Sequence, residues 1–231
     1  MIWFNGQSGD DFGLIVERYP SVIMPTRKFE KTSVPGRNGD LLIEQDAFEN
    51  VSQRYEIYIS AEKPRLTNVT HKIAEWLCVK GYQRLVDSYF LDTFRLASFH
   101  GGLEIENVLN RFGRATIEFD CKPQRWFTHG DQFIDVTNGG KLFNPSPFTA
   151  KPLLITTGSG AGTLTINGNT LTMTDTNDMT IDCDSMQIYR SGISKSGTIS
   201  GNFFELPEGE STISWTGGIT GISIKPRWWT L

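Results

Sequence analysis

"SVPGRNGDLL", residues 33–42, is the stretch from which the fold of this chain is read. Pro35 fixes φ near the value needed at the second position of a turn, and Gly36 accepts the positive φ that follows in a type II turn. Asn38-Gly39 is a two-residue hairpin signal. On one side, Arg27 to Val34 mixes polar and apolar residues as a strand does. On the other, Leu41-Leu42-Ile43 has β propensity. The expected element is a long hairpin over residues 27–45, with an ordinary surface turn as the plainer reading from spacing alone. A phosphate-binding loop is not expected, because neither Gly36 nor Gly39 leads into Gly-Lys-Ser/Thr or a helical pattern.

The surrounding chain sets the class. Its 231 residues suffice for one large β domain or two ordinary ones, and 38% hydrophobic content leaves no apolar run long enough to span a bilayer. The opening "MIWFNGQSGDDFG" lacks the basic leader and apolar core of a secretory signal. Cys78, Cys121 and Cys183 are odd in number and far apart, which speaks against a disulfide framework or a zinc ribbon and suits a reducing compartment. Of 22 basic and 26 acidic residues, 16 and 17 fall in residues 1–130, leaving 6 and 9 for the rest. No basic block advertises nucleic acid, and the charge-poor C-terminal part points to two differently built halves.

In the first half, Val69, Ile73, Trp76 and Leu77 recur at helical spacing, with Thr67 or Asn68 able to cap the start and Gly81 placed to end it. A helix is expected over about 68–80. Segments at 54–60, 81–86, 93–99 and 114–121 read as strands, so residues 1–135 are expected to form an α+β domain with the helix on one face of an antiparallel sheet. After "CKPQRWF" come Asn138-Gly139-Gly140, Pro145 and Pro147, a linker-like lead-in to a second domain at 136–231. That domain reads as short strands punctuated by Asn167-Gly168 and Gly217-Gly218, a β-sandwich without a helix.

Chemistry is sparse. "GSGAG", 158–162, has the wrong glycine spacing for a dinucleotide fingerprint and reads as a flexible strand lead-in. Asp175, Asp178, Asp182 and Asp184 lack the spacing of a calcium loop, and His71, His100 and His129 form no metal pair. Gly-x-Ser-x-Gly does not occur, and carboxylate pairs such as Asp10-Asp11 and Glu104/Glu106 carry no mark of a catalytic cleft. Neither a metal, a cofactor nor enzymatic activity is expected. Trp126 closes the first half and Trp228-Trp229 nearly closes the chain; packing within or between domains is the favoured role for all three, a sugar platform the alternative.

Taken in order, "SVPGRNGDLL", the helix with "IAEWL", "ATIEFDCKPQRW", "LFNPSPFTAKPLLITTGSGAGTLTING", "TIDCDSMQIY" and "ISIKPRWWTL" resemble the distal tail proteins of siphophages that infect Gram-positive bacteria. The resemblance spans nearly the whole chain. It implies an N-terminal domain with a β-sandwich-like body, one helix and a protruding belt hairpin, followed by a galectin-like β-sandwich. It further implies a homohexameric ring at the virion tail tip or baseplate, made in the host bacterial cytoplasm. The implied partners are the tail tube protein, a tail-associated lysin or tip protein and receptor-binding proteins, with DNA only passing through. On this likeness Pro35, Gly36, Arg37, Asn38 and Gly39 form the tip of a belt that reaches the next subunit. A carbohydrate-binding module contacting host cell-wall glycans is the runner-up, and a hydrolase with an unrecognised acid pair the third reading.

Overall fold

The computed structural model of the chain describes residues 1–60, 66–108 and 112–231. It divides into two compact units, Met1–Arg125 with Leu231, and Trp126–Thr230. The break expected at 135/136 therefore sits beside a division at Arg125/Trp126 in the structure. The stretch between already takes part in the second unit, where Lys225 Nζ pairs with Asp131 at 3.2 Å.

The first unit contains β1 (Ile2–Phe4), β2 (Gln7–Ser8), β3 (Leu14–Val16), β4 (Arg27–Ser33), β5 (Asp40–Phe48), β6 (Val51–Ser60), α1 (Leu66–Leu77), β7 (Gln83–Asp87), β8 (Thr93–Ser98) and β9 (Glu106–Val108). β10 (Phe112–Phe127) carries the chain onward across the division. Its main sheet runs β2-β1-β7-β8-β10-β6-β3, and β6 lies antiparallel to both β3 and β10. Alternation along β6 buries Val51, Tyr55, Ile57 and Ile59, and β10 answers with Ile117, Phe119 and Cys121. The helix turns Val69, Ile73, Trp76 and Leu77 onto this core, as 3.6-residue periodicity requires, and leaves His71 exposed. Trp76 fixes the docking: its ring NH donates to the Phe4 carbonyl at 3.0 Å and its face meets Phe4 and Phe12.

The helix differs from expectation at both ends. It starts at Leu66 rather than 68, and the residue that would cap it lies outside the described residues. It stops at Leu77 rather than 80, because the Val79 N–H turns to Leu77 O after Cys78 N–H has made its bond to Ala74 O. Gly81, at φ +74°, sits past this end instead of on it.

The second unit contains β11 (Ile134–Val136), β12 (Gly140–Asn144), β13 (Leu153–Ile166), β14 (Asn169–Met173), β15 (Met179–Asp182), β16 (Gln187–Arg190), β17 (Ile193–Ser194), β18 (Ile199–Gly201), β19 (Gly209–Lys225) and β20 (Trp229–Thr230). Two long strands, β13 and β19, pair from Leu153↔Lys225 to Ile166↔Ile213, with an interruption between Thr157 and Gly162. Their halves serve different layers. Leu153–Thr156 continues to β15, while Gly162–Ile166 continues to β14; likewise Ile222–Ile224 takes β11 and Gly209–Ile213 takes β12. Both layers point inward to one core of residues such as Leu154, Leu164, Ile181, Ile213 and Ile224, which makes a β-sandwich.

Two sequence expectations are corrected here. "GSGAG" is not a lead-in, and Gly217-Gly218 is not a turn: each is the bulge at which a continuous strand switches layers, and the register slips between Thr157 and Gly162. Side chains are excluded at the crossing. A Cβ on Gly158 would lie 2.1 Å from the Gly218 carbonyl oxygen, and one on Gly162 within 3.0 Å of several atoms. By contrast Asn167-Gly168, with both residues at positive φ, is the hairpin turn between β13 and β14 that its sequence signals.

Candidate assembly surface

β4 and β5 form a two-stranded sheet of their own, apart from the main sheet of the first unit. Ser33 pairs with Asp40, Thr32 with Leu41, Lys31 with Leu42, Glu30 with Ile43 and Phe29 with Glu44. The hairpin expected at 27–45 thus extends to Phe48. Its tip departs from the two-residue Asn-Gly turn. Pro35 and Gly36 make the reversal, with the Arg37 N–H donating to Val34 O at 3.1 Å and Gly36 at φ +79°, while of the Asn38-Gly39 pair only Gly39 is left-handed. The connection is therefore six residues long, because the type II turn precedes the point where the strands part.

Every residue from Arg27 to Asp46 is exposed. Alternation places Phe29, Lys31, Leu42 and Glu44 on one face and Glu30, Thr32, Leu41 and Ile43 on the other. Phe29 is 47% exposed and Leu42 51%, Leu41 42% and Ile43 46%, so each face shows water apolar side chains ringed by charge. Lys31 Nζ lies 5.4 Å from the Phe29 ring, and Gln45 donates to Glu30 at 3.0 Å. Among the described residues nothing pairs with the Arg37 guanidinium at the tip.

The root of the ribbon is tied down. A break in register after Arg27, with Asp46 at φ +47°, bends β5, and Arg27 caps the bend by lying over the Phe48 ring and within 3.5 Å of Glu44 and 3.6 Å of Asp46. Thr26 O accepts the Glu49 N–H at 2.9 Å. Next to it Asn50 Nδ2 donates to Tyr82 and Asp120, and Tyr82 donates to Asp120 at 2.7 Å, a bond that raises the Tyr82 phenol pKa. In front of β4, Ser21 O accepts from Gln53 at 3.3 Å and Ile23 O from Arg95 at 3.2 Å. The body holds the hairpin at its base and leaves its length free.

Pro35, Gly36, Arg37, Asn38 and Gly39 are thus brought together at the exposed tip. Trp228 and Trp229 lie elsewhere, in the second unit: Trp228 joins the core, and Trp229 stacks on Phe148 at 4.3 Å and donates to Thr149 O. Trp126, half-buried, begins that unit. Trp228 is thus buried, while Trp229 is half-buried with one ring face on Phe148. The apolar ribbon residues are what sequence reading missed. Their signal was the run Leu41-Leu42-Ile43, which breaks the polar alternation of an ordinary solvated strand.

No group of three or more His, Cys, Asp or Glu able to hold a metal occurs among the described residues. Burial pushes the Cys121 and Cys183 thiols up to about 12. Neither is poised as a thiolate nucleophile. Two of the four clustered aspartates are engaged in ion pairs, Asp175 with Arg190 at 2.6 Å and Asp182 with Arg227 at 2.6 Å. What the surface can do chemically is dock: it offers apolar contact, a free guanidinium and open strand edges.

Residues 7–121 match the model of the phage tail protein RIFT-related domain family. Over 100% of this chain and 98% of the other, the fold is similar to the crystal structure of the Dit (gp 19.1) protein of phage SPP1, described as a paradigm of the hub adsorption apparatus in Gram-positive infecting phages, with a TM-score of 0.75 at 13% identity. It is also similar to a chain of the phage P2 baseplate in its activated, calcium-bound conformation, with a TM-score of 0.50 at 7% identity, covering 96% of this chain and 89% of that one. No curated protein sequence matches.

Proposed function

We propose that this chain, whose residues 7–121 match the phage tail protein RIFT-related domain family, is a structural component of a phage tail tip or baseplate that assembles as a ring through its β4–β5 ribbon. The ribbon carries the reading. An isolated two-stranded hairpin is marginal in water, and this one exposes apolar residues on both faces and both of its edges. A neighbour that covers it removes that cost. A head-to-tail contact of this kind, a protruding element on one side and its receptor on the other, closes into a ring when the rotation fits.

Six copies are the expected number, with Arg37 finding its partner on the next subunit. The ring joins the tail tube protein on one side to a tail-associated lysin or tip protein on the other, and serves as a mount for receptor-binding proteins. Its role is architectural, and the protein reaches the virion after synthesis in the bacterial cytoplasm. A formal charge of -4 and the absence of a basic block in the sequence are compatible with a ring that does not grip passing DNA. Immunogold labelling of virions that carry this chain tests the reading: label at the distal end of the tail is expected, and label on heads or none on intact particles overturns it.

A further inference from the structure

The first unit contains a polar pocket whose lining includes no residue of the β4–β5 ribbon. Arg95, on β8, is 3% exposed, and its Nε and Nη1 are buried without an acceptor. Its remaining nitrogen, Nη2, donates to Ile23 O. Arg125, on β10, is buried too, its guanidinium carbon 4.4 Å from the Phe90 ring centre. Both arginines line a small cavity with Gln53, Tyr55 and Asp87, which has room for about one water-sized particle.

The charge in this pocket does not balance. Asp87 is the one carboxylate that lines it, and it is already committed: Oδ2 accepts the Tyr55 hydroxyl at 2.9 Å, and Oδ1 accepts the Tyr89 and Phe90 N–H groups at 3.0 Å. Among the described residues no ion pair joins it to either arginine. The other titratable neighbours, Tyr55 and Cys121, are held neutral by burial. Burial and the nearby Arg125 lower the Arg95 pKa to about 10, which still leaves it cationic at neutral pH. Two buried cations thus face one anion, with two guanidinium nitrogens unused. A water molecule would satisfy the donors but not the charge; a single halide ion, slightly larger than water, satisfies both.

We infer that the cavity between Arg95 and Arg125 is a binding site for a single small monovalent anion of the halide class. The anion accepts from Arg95 Nε and Nη1, and so stiffens the guanidinium whose third nitrogen holds the Ile23 carbonyl ahead of the hairpin. The site depends on the body of the first unit alone, so it stands or falls separately from ring formation.

The test is thermal unfolding of the full chain in sodium chloride or bromide against sodium gluconate at matched ionic strength. A bound ligand raises Tm along a saturating curve. The expected rise is about 2–4 °C in chloride, with Arg95→Met abolishing the dependence. Bromide supplies a second readout that needs no variant, an anomalous diffraction peak beside Arg95 in crystals grown with it. Identical Tm curves in chloride and gluconate, or a bromide-grown crystal without that peak, would overturn the site and leave water as the occupant.

Discussion

The Cβ position of Gly218 lies 1.8 Å from the carbonyl oxygen of Ser159, closer than any side chain can approach a backbone. Gly218→Ala must therefore push β13 and β19 apart at the point where both change layers. A loss of about 2–4 kcal/mol is expected, confined to the unfolding of the second unit. Gly197→Ala, at a glycine with open space around it and no left-handed φ, should stay within about 0.5 kcal/mol of the parent. Denaturant titrations of the two variants make the comparison, and equal stabilities would contradict the crossing geometry.

Replacing Phe29 and Leu42 together by serine should abolish assembly while leaving the unfolding midpoint of the chain within about 1 °C, since neither side chain packs in the core. Arg37→Ala should weaken assembly in the same way, and more at low salt than at high salt, because it removes a charge partner and little contact area. Size-exclusion chromatography with light scattering reads both; a variant that assembles as the parent does removes its residue from the interface.

Asp182, Asp175 and Glu118 predict an acid-labile fold. Burial raises the Asp182 pKa, but the Arg227 guanidinium outweighs it and holds the carboxyl below its usual range. The Asn177 N–H and then Arg190 do the same for Asp175, and the Ser52 hydroxyl and Arg54 for Glu118. Each folded pKa lies below its unfolded value. The stabilisation is thus complete above about pH 4.5 and lost as pH falls through the folded values. Thermal melts between about pH 7 and 3 should show a falling Tm, with a shallower fall in Asp182→Asn; an unchanged slope in that variant would contradict the assignment to Arg227.

Tyr55 predicts the opposite edge of the pH range. Burial, then the Asp87 charge and the hydrogen bond to it, raise its phenol pKa well above that of an exposed tyrosine. The fold should lose stability as pH rises beyond about 10, where the unfolded phenol ionises and the folded one does not. Tyr55→Phe should remove that alkaline loss at a cost of about 1–2 kcal/mol at neutral pH, because Asp87 keeps its two backbone donors. Ultraviolet titration should count one phenol fewer than the sequence contains until the protein unfolds.

How far the sequence speaks can be seen at particular residues. Val69, Ile73, Trp76 and Leu77 announced the helix because helical periodicity is local, and Asn167-Gly168 announced its turn because two adjacent left-handed residues are a local demand. Gly158 reads as a strand lead-in and Gly218 as a turn because glycine serves lead-in, turn and bulge alike; only the strand alongside distinguishes them. The hairpin tip was legible, whereas the exposure of Phe29 and Leu42 was not, since an apolar strand residue reads as core until the sheet that should cover it proves absent. Arg95 gives no sign at all: within "TFRLASF" it looks like a solvated strand residue, and its burial arises from the neighbouring strand β10 and from Gln53 and Tyr55 of β6, which line the same pocket.

The central claim, that the ribbon closes copies of this chain into a ring, is tested most directly by the native mass of the purified protein. Six times 26.0 kDa is 156 kDa, and a single species at that mass, lost when Phe29 and Leu42 are both replaced by serine, is the predicted result. A species that stays at 26.0 kDa across the concentration range, or a 156 kDa species indifferent to those replacements, would contradict it.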